Sequence, residues 1–268
     1  MTDDEYLVTI VKHGTRSTTK SDVYLNYPLY GVADEPIEMD YFAWIIQNRS
    51  RTVLVDTGYS RHGGESRNRT FVLDLPKTYR ELGVDPEQSP TVIVSHAHYD
   101  HTGNLDFFPT SEIVMAQDEY DFWTGPYATR EQFHHSLEEA DLEVLVRAHD
   151  EGRMTLISGR HTVAPGIEVI QMGGHTPGQV VVSVNTSEGV VLLASDAIHY
   201  YEEYEDDRPF TYVANLVDMY AAFDLIHQWE RDGVVQHVVS GHDASTLGRF
   251  TPVSGSLAGF VSTIGTLS

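Results

Sequence analysis

Residues 96–101 read His-Ala-His-Tyr-Asp-His, which places three imidazoles and a carboxylate within six positions. An apolar run directly before them predicts a buried strand. Residues two apart in an extended segment point the same way, so His96 and His98 can converge on one metal ion while Asp100 and His101 turn toward a second. Burying so many unpaired polar groups without a metal would cost several kcal/mol. The cluster therefore predicts a metal site.

Other side chains that can bind metals follow further predicted strands. Apolar runs precede Asp56, Asp196 and His242, and His175 lies in the glycine-rich segment 173–178. In layered α/β folds, reactive groups collect in the loops at strand ends. Imidazoles and carboxylates suit zinc, iron, manganese or cobalt, and two such cations sharing a hydroxide generate a nucleophile at neutral pH. Cysteine is absent, which excludes thiolate ligands, disulfides and a cysteine nucleophile.

The order of these residues resembles the metallo-β-lactamase superfamily. That family's pattern is H-x-H-x-D-H followed by a distant His, a bridging Asp and a last His, and this sequence fills every position. The resemblance implies an α/β fold, a four-layer αββα sandwich, as a single hydrolase domain over residues 1–268. It assigns one metal to His96, His98 and His175, the other to Asp100, His101 and His242, and the bridge to Asp196. Asp56 matches an Asp of the family that orients a metal-bound histidine.

The segment after the bridging Asp196 looks like that of the N-acyl homoserine lactonases, a quorum-quenching branch of the superfamily. It has Asp-Ala at the bridge, an acidic stretch with aromatic residues, and then a Pro-Phe. The resemblance implies that a metal-bridging hydroxide opens a lactone ring, with Asp100 as a proton shuttle. Those lactonases place a Tyr three residues after the bridge, where this sequence has His199, with Tyr200 next to it. We predict that His199 donates a hydrogen bond to the oxyanion.

Other substrates fit the same ligand pattern. The alternatives are another small ester, a cyclic amide, or a thioester as in glyoxalase II, although only Arg249 supplies a basic residue after His242. A metal-dependent binding protein without turnover is a further alternative. The expected cofactors are two divalent ions, with zinc first and iron, manganese or cobalt as alternatives.

The charge of the chain limits its partners. Lys+Arg 17 against Asp+Glu 40 gives a formal net charge of -23, which opposes nucleic acid, anionic membranes and polyanionic substrates. No apolar run approaches the roughly 20 residues that a membrane helix needs. Three of the first five residues are acidic, where a secretory signal would be basic. We therefore expect a cytoplasmic enzyme with a small-molecule substrate, and an exposed aromatic lid would favour a homodimer.

Two segments have helical signatures. Between residues 215 and 229, apolar side chains recur at offsets of three and four and predict one buried stripe, formed by Leu216, Met219, Phe223 and Ile226. A second helix is predicted to begin at Ser136, with Glu139 as its capping-box partner, and to end before Gly152.

Two further segments have no clear period. Residues 120–135 are rich in aromatic side chains and are predicted to form a lid or a substrate wall. Residues 202–207 are acidic and predict a solvated loop, which pairs with Arg208; the alternative role for Arg208 is to hold a substrate carboxylate.

Overall fold

The strands of the computed structural model, which describes residues 4–267, form two β-sheets. In chain order they are β1 (Leu7–Thr19), β2 (Pro36–Gln47), β3 (Thr52–Val55), β4 (Thr70–Phe71), β5 (Thr91–Ile93), β6 (Ile113–Ala116), β7 (Met154–Ile157), β8 (Arg160–Ala164), β9 (Ile167–Gln171), β10 (Val180–Thr186), β11 (Gly189–Ser195), β12 (His237–Ser240), β13 (Thr251–Pro252) and β14 (Val261–Ile264). The larger sheet has the order β13-β14-β1-β2-β3-β5-β6-β7, with β4 paired to β1, and the smaller sheet has the order β12-β11-β10-β9-β8. Part of the acidic N-terminal segment, residues 1–3, lies outside the described residues.

The helices are short except for α7 and α9. They are α1 (Lys20–Val23), α2 (Arg61–Ser66), α3 (Leu75–Glu81), α4 (Tyr99–Thr102), α5 (Gln117–Trp123), α6 (Glu131–His134), α7 (Glu139–Asp150), α8 (Tyr201–Glu205) and α9 (Leu216–Arg231). Within residues 4–267, none of them has the length and apolar character needed to cross a membrane.

The two sheets pack face to face around one apolar core. Val8 and Trp44 of the larger sheet lie in the same buried cluster as Val182 and Leu193 of the smaller sheet. The central strands are buried on both faces, so their sequences are continuous apolar runs rather than alternating ones.

Helices cover the outer face of each sheet. Tyr79 of α3 and Leu145 of α7 pack with the outward-facing residues of the larger sheet. Met219, Phe223 and Ile226 of α9 pack against the smaller sheet. The layers are therefore helix, sheet, sheet, helix, and the predicted αββα sandwich is confirmed.

Helix α9 begins and packs largely as its sequence predicts. The Asn215 side chain caps it by accepting hydrogen bonds from the backbone N–H groups of Val217 and Asp218. Met219, Phe223 and Ile226 are buried, whereas Leu216 is 39% exposed, so the prediction that Leu216 belongs to the buried stripe is wrong. Leu216 is the first residue of the helix, and the buried residues of α9 begin one turn later, at Met219.

The predicted start of α7 is wrong by three residues. The helix begins at Glu139, because Ser136 is held by other partners. The Ser136 hydroxyl bonds His135 Nδ1, and its carbonyl accepts from the N–H of Tyr99. The preceding stretch 120–135 is not wholly irregular: it contains the end of α5 and all of α6.

Candidate metal centre

The side chains predicted to bind metals come from segments that follow four strands. His96 and His98 follow β5, and the next residues form α4, which carries Asp100 and His101. His175 lies between β9 and β10, Asp196 follows β11, and His242 follows β12. Strands β11 and β12 run parallel, so their carboxyl ends lie side by side. All seven side chains are buried.

One group of donor atoms contains three imidazoles and one carboxylate oxygen. His98 Nδ1 lies 3.1 Å from His96 Nε2 and 3.0 Å from His175 Nε2. Asp196 Oδ2 lies 3.4 Å from His175 Nε2 and 3.7 Å from His96 Nε2. Four donors at these separations can surround a single ion.

A second group uses the other oxygen of the same aspartate. Asp196 Oδ1 lies 3.4 Å from His101 Nε2 and 3.2 Å from His242 Nε2. The Asp100 carboxylate completes the group, at 3.9 Å from each of these two nitrogens. His242 Nε2 also lies 3.3 Å from Asp196 Oδ2, so the Asp196 carboxylate is placed between the two groups and contacts both, as a bridging ligand does.

The protonation chemistry of the donors fits two divalent cations. Burial lowers the pKa of His96 and His98 well below the usual value, and it lowers the pKa of His175 to about 3. These imidazoles are therefore neutral and present lone pairs. Burial alone would raise the pKa of Asp196, but the imidazoles around it, His242 foremost, hold that pKa well below its ordinary value.

Two donor atoms of the seven predicted ligands have no hydrogen-bond partner in the described chain. They are His101 Nε2 and Asp196 Oδ1, both buried. Buried polar atoms without a partner are costly, and a bound cation removes that cost. The residues present therefore fit a dinuclear metal site.

Contacts outside the donor groups fix the orientation of the imidazoles. His101 Nδ1 lies 2.7 Å from Asp56 Oδ2, where Asp56 can orient this ring as the resemblance to the superfamily implies. His175 Nδ1 bonds the carbonyl of Tyr212, and His242 Nδ1 bonds the carbonyl of Asp40, each at 2.7 Å. With one nitrogen donating outward, each ring directs its lone pair toward the centre.

Glu119 is a functional residue that the sequence did not reveal. Its fully buried carboxylate accepts from the N–H of Ala97 at 3.0 Å, from the N–H of Gly178 at 2.9 Å and from the indole N–H of Trp123 at 2.6 Å. It therefore joins the loop of His96 and His98 to the loop of His175. A single glutamate just before the aperiodic segment 120–135 carries no sequence signal for such a role.

His199 lies at the same centre, fully buried. Its Nε2 is 3.2 Å from Asp196 Oδ2, and its Nδ1 is 3.0 Å from Glu203 Oε2. The ring of Phe210 stacks on the imidazole at 3.8 Å between centroids.

The prediction that residues 202–207 form a solvated loop is wrong for residues 202–205 and holds for Asp206 and Asp207, which are exposed in a turn. Residues 201–205 form α8, and Glu203 is fully buried because it accepts hydrogen bonds from the backbone of residues 199 and 210. The predicted pairing of Arg208 is confirmed, since its guanidinium contacts Glu202 and lies 3.2 Å from Asp206.

A cavity of about 130 Å³ opens onto the first donor group. It is lined by His98 and His175 together with the aromatic side chains of Phe122, Phe133 and Tyr212. The stretch predicted as a lid or substrate wall thus supplies part of this wall. A larger cavity of about 650 Å³ runs along α7, and none of the predicted metal ligands lines it.

Comparisons with known proteins agree with this architecture. Among curated relatives, an N-acyl homoserine lactonase of Bacillus cereus is 29% identical over 189 residues, covering 65% of this chain and 70% of the relative. The N-acyl homoserine lactonase AiiB of Agrobacterium fabrum is 27% identical over 189 residues, covering 65% of this chain and 68% of the relative.

Two solved structures have the same fold. A quorum-quenching N-acyl homoserine lactone lactonase superposes with a TM-score of 0.74 at 21% identity, covering 91% of this chain and 94% of the other. AidC, a dizinc quorum-quenching lactonase in complex with its product, superposes with a TM-score of 0.73 at 19% identity, covering 100% of this chain and 97% of the other.

The sequence profile of the metallo-beta-lactamase superfamily matches residues 38–232, which is more than half of the chain. The chain therefore belongs to the metallo-beta-lactamase superfamily.

Proposed function

We propose that this protein is a dinuclear metal-dependent hydrolase that opens the ring of N-acyl homoserine lactones or related small lactones. The observation that carries the proposal is the pair of buried donor groups that share the Asp196 carboxylate. Relatives that are 27–29% identical over about two thirds of this chain are N-acyl homoserine lactonases, which supports the lactone as substrate.

Two divalent ions held by these residues, with zinc as the first candidate, supply Lewis acidity and an activated water. The side chains contribute position and proton transfer. Asp56 and the carbonyls of Asp40 and Tyr212 fix three imidazoles. The cavity walls of Phe122 and Phe133 suit an apolar acyl group next to the reacting ring.

Asp100 is the proposed proton carrier. Its carboxylate lies between His101 and His242, at 3.9 Å from each Nε2, and neither of its oxygens is committed to the bridge. It takes a proton from the attacking water and delivers it to the ring oxygen as the acyl C–O bond breaks. The hydroxyl joins the acyl carbon, so the product is a hydroxy acid that releases a proton at neutral pH.

The oxyanion-donor role of His199 stays a prediction. It requires a proton on Nε2, which lies 3.2 Å from Asp196 Oδ2, while Nδ1 lies 3.0 Å from Glu203 Oε2. The single domain over residues 1–268, the cytoplasmic location, the homodimer and the exclusion of nucleic acid also stay predictions.

The test combines metal content with proton release. We expect elemental analysis to find two metals per chain, and pH-stat titration to show chelator-sensitive acid release from acyl homoserine lactones. Asp196→Asn should lose both metals and turnover together, because it removes a negatively charged oxygen from both donor groups. His149→Gln is the matched control, since His149 is half-exposed on α7 and away from the centre.

Substrates outside the lactones decide between the alternatives. If lactones are inert while a cyclic amide, a simple ester or a glutathione thioester is cleaved, the metal centre stands and the proposed substrate is wrong. If a chain with both metals cleaves none of them, the hydrolase proposal is wrong.

A further inference from the structure

His199 has the structural traits of the imidazoles that the sequence assigns to metal binding. In His101 and His175, one ring nitrogen bonds an acceptor outside the centre and the other points into the donor groups. His199 is arranged in the same way, with Nδ1 at 3.0 Å from Glu203 and Nε2 at 3.2 Å from Asp196. The sequence pattern of the superfamily does not include this position among the ligands.

The surroundings of Glu203 decide which nitrogen of His199 carries the proton. Glu203 Oε2 accepts from the backbone N–H of His199 at 2.6 Å, and Oε1 accepts from the N–H of Phe210 at 2.8 Å. A carboxylate held by backbone donors acts as an acceptor, so Nδ1 of His199 donates to it. In that tautomer, the lone pair of the imidazole is on Nε2. Stacking on Phe210, with 11° between the ring planes, keeps the ring in this orientation.

The lone pair of His199 points into the first donor group. The ligand atoms of His175, Asp196 and His199 lie within 4.8 Å of one another. His199 Nε2 is buried without a hydrogen-bond partner, as are His101 Nε2 and Asp196 Oδ1. His199 Nε2 and Asp196 Oδ2 lie 3.2 Å apart, a separation at which one cation can bind both atoms.

We infer that His199 is an additional metal ligand, which binds through Nε2 the ion held by His96, His98 and His175. That ion then has five protein donors, with Asp196 as the fifth side chain, and Glu203 is the residue that positions His199. The inference rests on the dinuclear centre of the proposed function but not on the identity of the substrate.

Cobalt loading tests the inference without measuring turnover. We would strip the protein with a chelator, load it with Co²⁺ and record the visible absorption and the proton NMR spectrum. A ligating imidazole whose other nitrogen keeps its proton gives a strongly shifted N–H signal that exchanges with water. His199→Phe should lose one such signal, the visible absorption should strengthen as the coordination number falls, and the affinity should drop about 10- to 100-fold.

Further variants separate ligation from folding. His199→Tyr, which has the residue of the resembled lactonases, should lose the same signal, so the test does not depend on the folding of His199→Phe alone. Glu203→Gln should keep the signal but shift it and weaken cobalt binding, because the ring loses its charged acceptor. The control His149→Gln should keep every signal.

The outcomes distinguish the ligand role from the oxyanion-donor role. If both His199 variants keep all shifted N–H signals, the same absorption and the same affinity, His199 is not a ligand and the inference is overturned. If the cobalt results are as expected while the wild-type enzyme cleaves no lactone, the ligand assignment stands and the proposed substrate fails.

Discussion

Glu119→Gln should loosen two of the segments that carry metal ligands while changing the side-chain volume very little. The Glu119 carboxylate accepts three hydrogen bonds, two through Oε1 and one through Oε2. A glutamine retains only one acceptor oxygen. In its better orientation that oxygen faces Ala97 and Trp123, and the new amide N–H₂ then faces the N–H of Gly178. The substitution therefore leaves at least one buried donor without an acceptor.

The magnitude follows from that loss. An unsatisfied buried donor costs about 1–3 kcal/mol, and hydrogen bonds to charged groups contribute about 1.5–3 kcal/mol. Removing the cost of burying a charge offsets part of this. We expect the free energy of unfolding to fall by about 2 kcal/mol. The hydrogen bonds of Glu119 also hold the two loops that carry metal ligands, so the metal affinity of the variant should fall about 10- to 100-fold.

Urea unfolding and chelator competition measure the two effects. Glu112→Gln is the matched control, because Glu112 is exposed and, within residues 4–267, its side chain bonds only the Thr155 hydroxyl. A Gly178→Ala variant gives an independent check, since its Cβ would lie 2.3 Å from the backbone nitrogen of Glu119. Unfolding and metal affinity equal to those of the wild type in Glu119→Gln would refute the positioning role.

Two predictions concern charge. Burial, with help from Glu138 and Asp106, raises the pKa of Asp141 from 3.8 to about 7, so the fold loses stability as pH rises through this interval. At about 1.4 kcal/mol per pH unit, this shift in the pKa of Asp141 lowers the free energy of unfolding by about 4 kcal/mol at high pH. In the Asp141→Asn variant the gain is smaller, because the site keeps some contact with water and the new amide is itself buried. Asp141→Asn should therefore stabilise the metal-loaded protein by about 2 kcal/mol at pH 8 and by nothing near pH 4, with the exposed Asp224→Asn as control; an equal gain at both pH values would contradict this. The net charge of -23 should make stability rise with salt, because raising the ionic strength from 0.1 M to 1 M shortens the screening length from about 10 Å to about 3 Å. Urea midpoints measured in NaCl check this, and a midpoint that falls with salt would show that repulsion among the acidic side chains does not control the stability of the fold.

Local sequence was enough to predict the cluster at residues 96–101 and the strand before it, whereas the resemblance to the superfamily implied the assignment of the full donor set. Ligands two residues apart, such as His96 and His98, share a direction in any extended segment, and apolar runs buried on both faces are visible without a structure. The stripe of Met219, Phe223 and Ile226 was predictable for the same reason, because helical periodicity is a property of the chain itself.

Tertiary structure alone decided the role of Glu119. It has the same side chain as the exposed glutamates, and it is buried because the backbone N–H groups of Ala97 and Gly178, 22 and 59 residues away, converge on it. Ser136 does not begin α7 because its carbonyl accepts from Tyr99, which lies far away in the sequence. Burial and hydrogen-bond partners depend on which segments the fold brings together, so no local pattern encodes them.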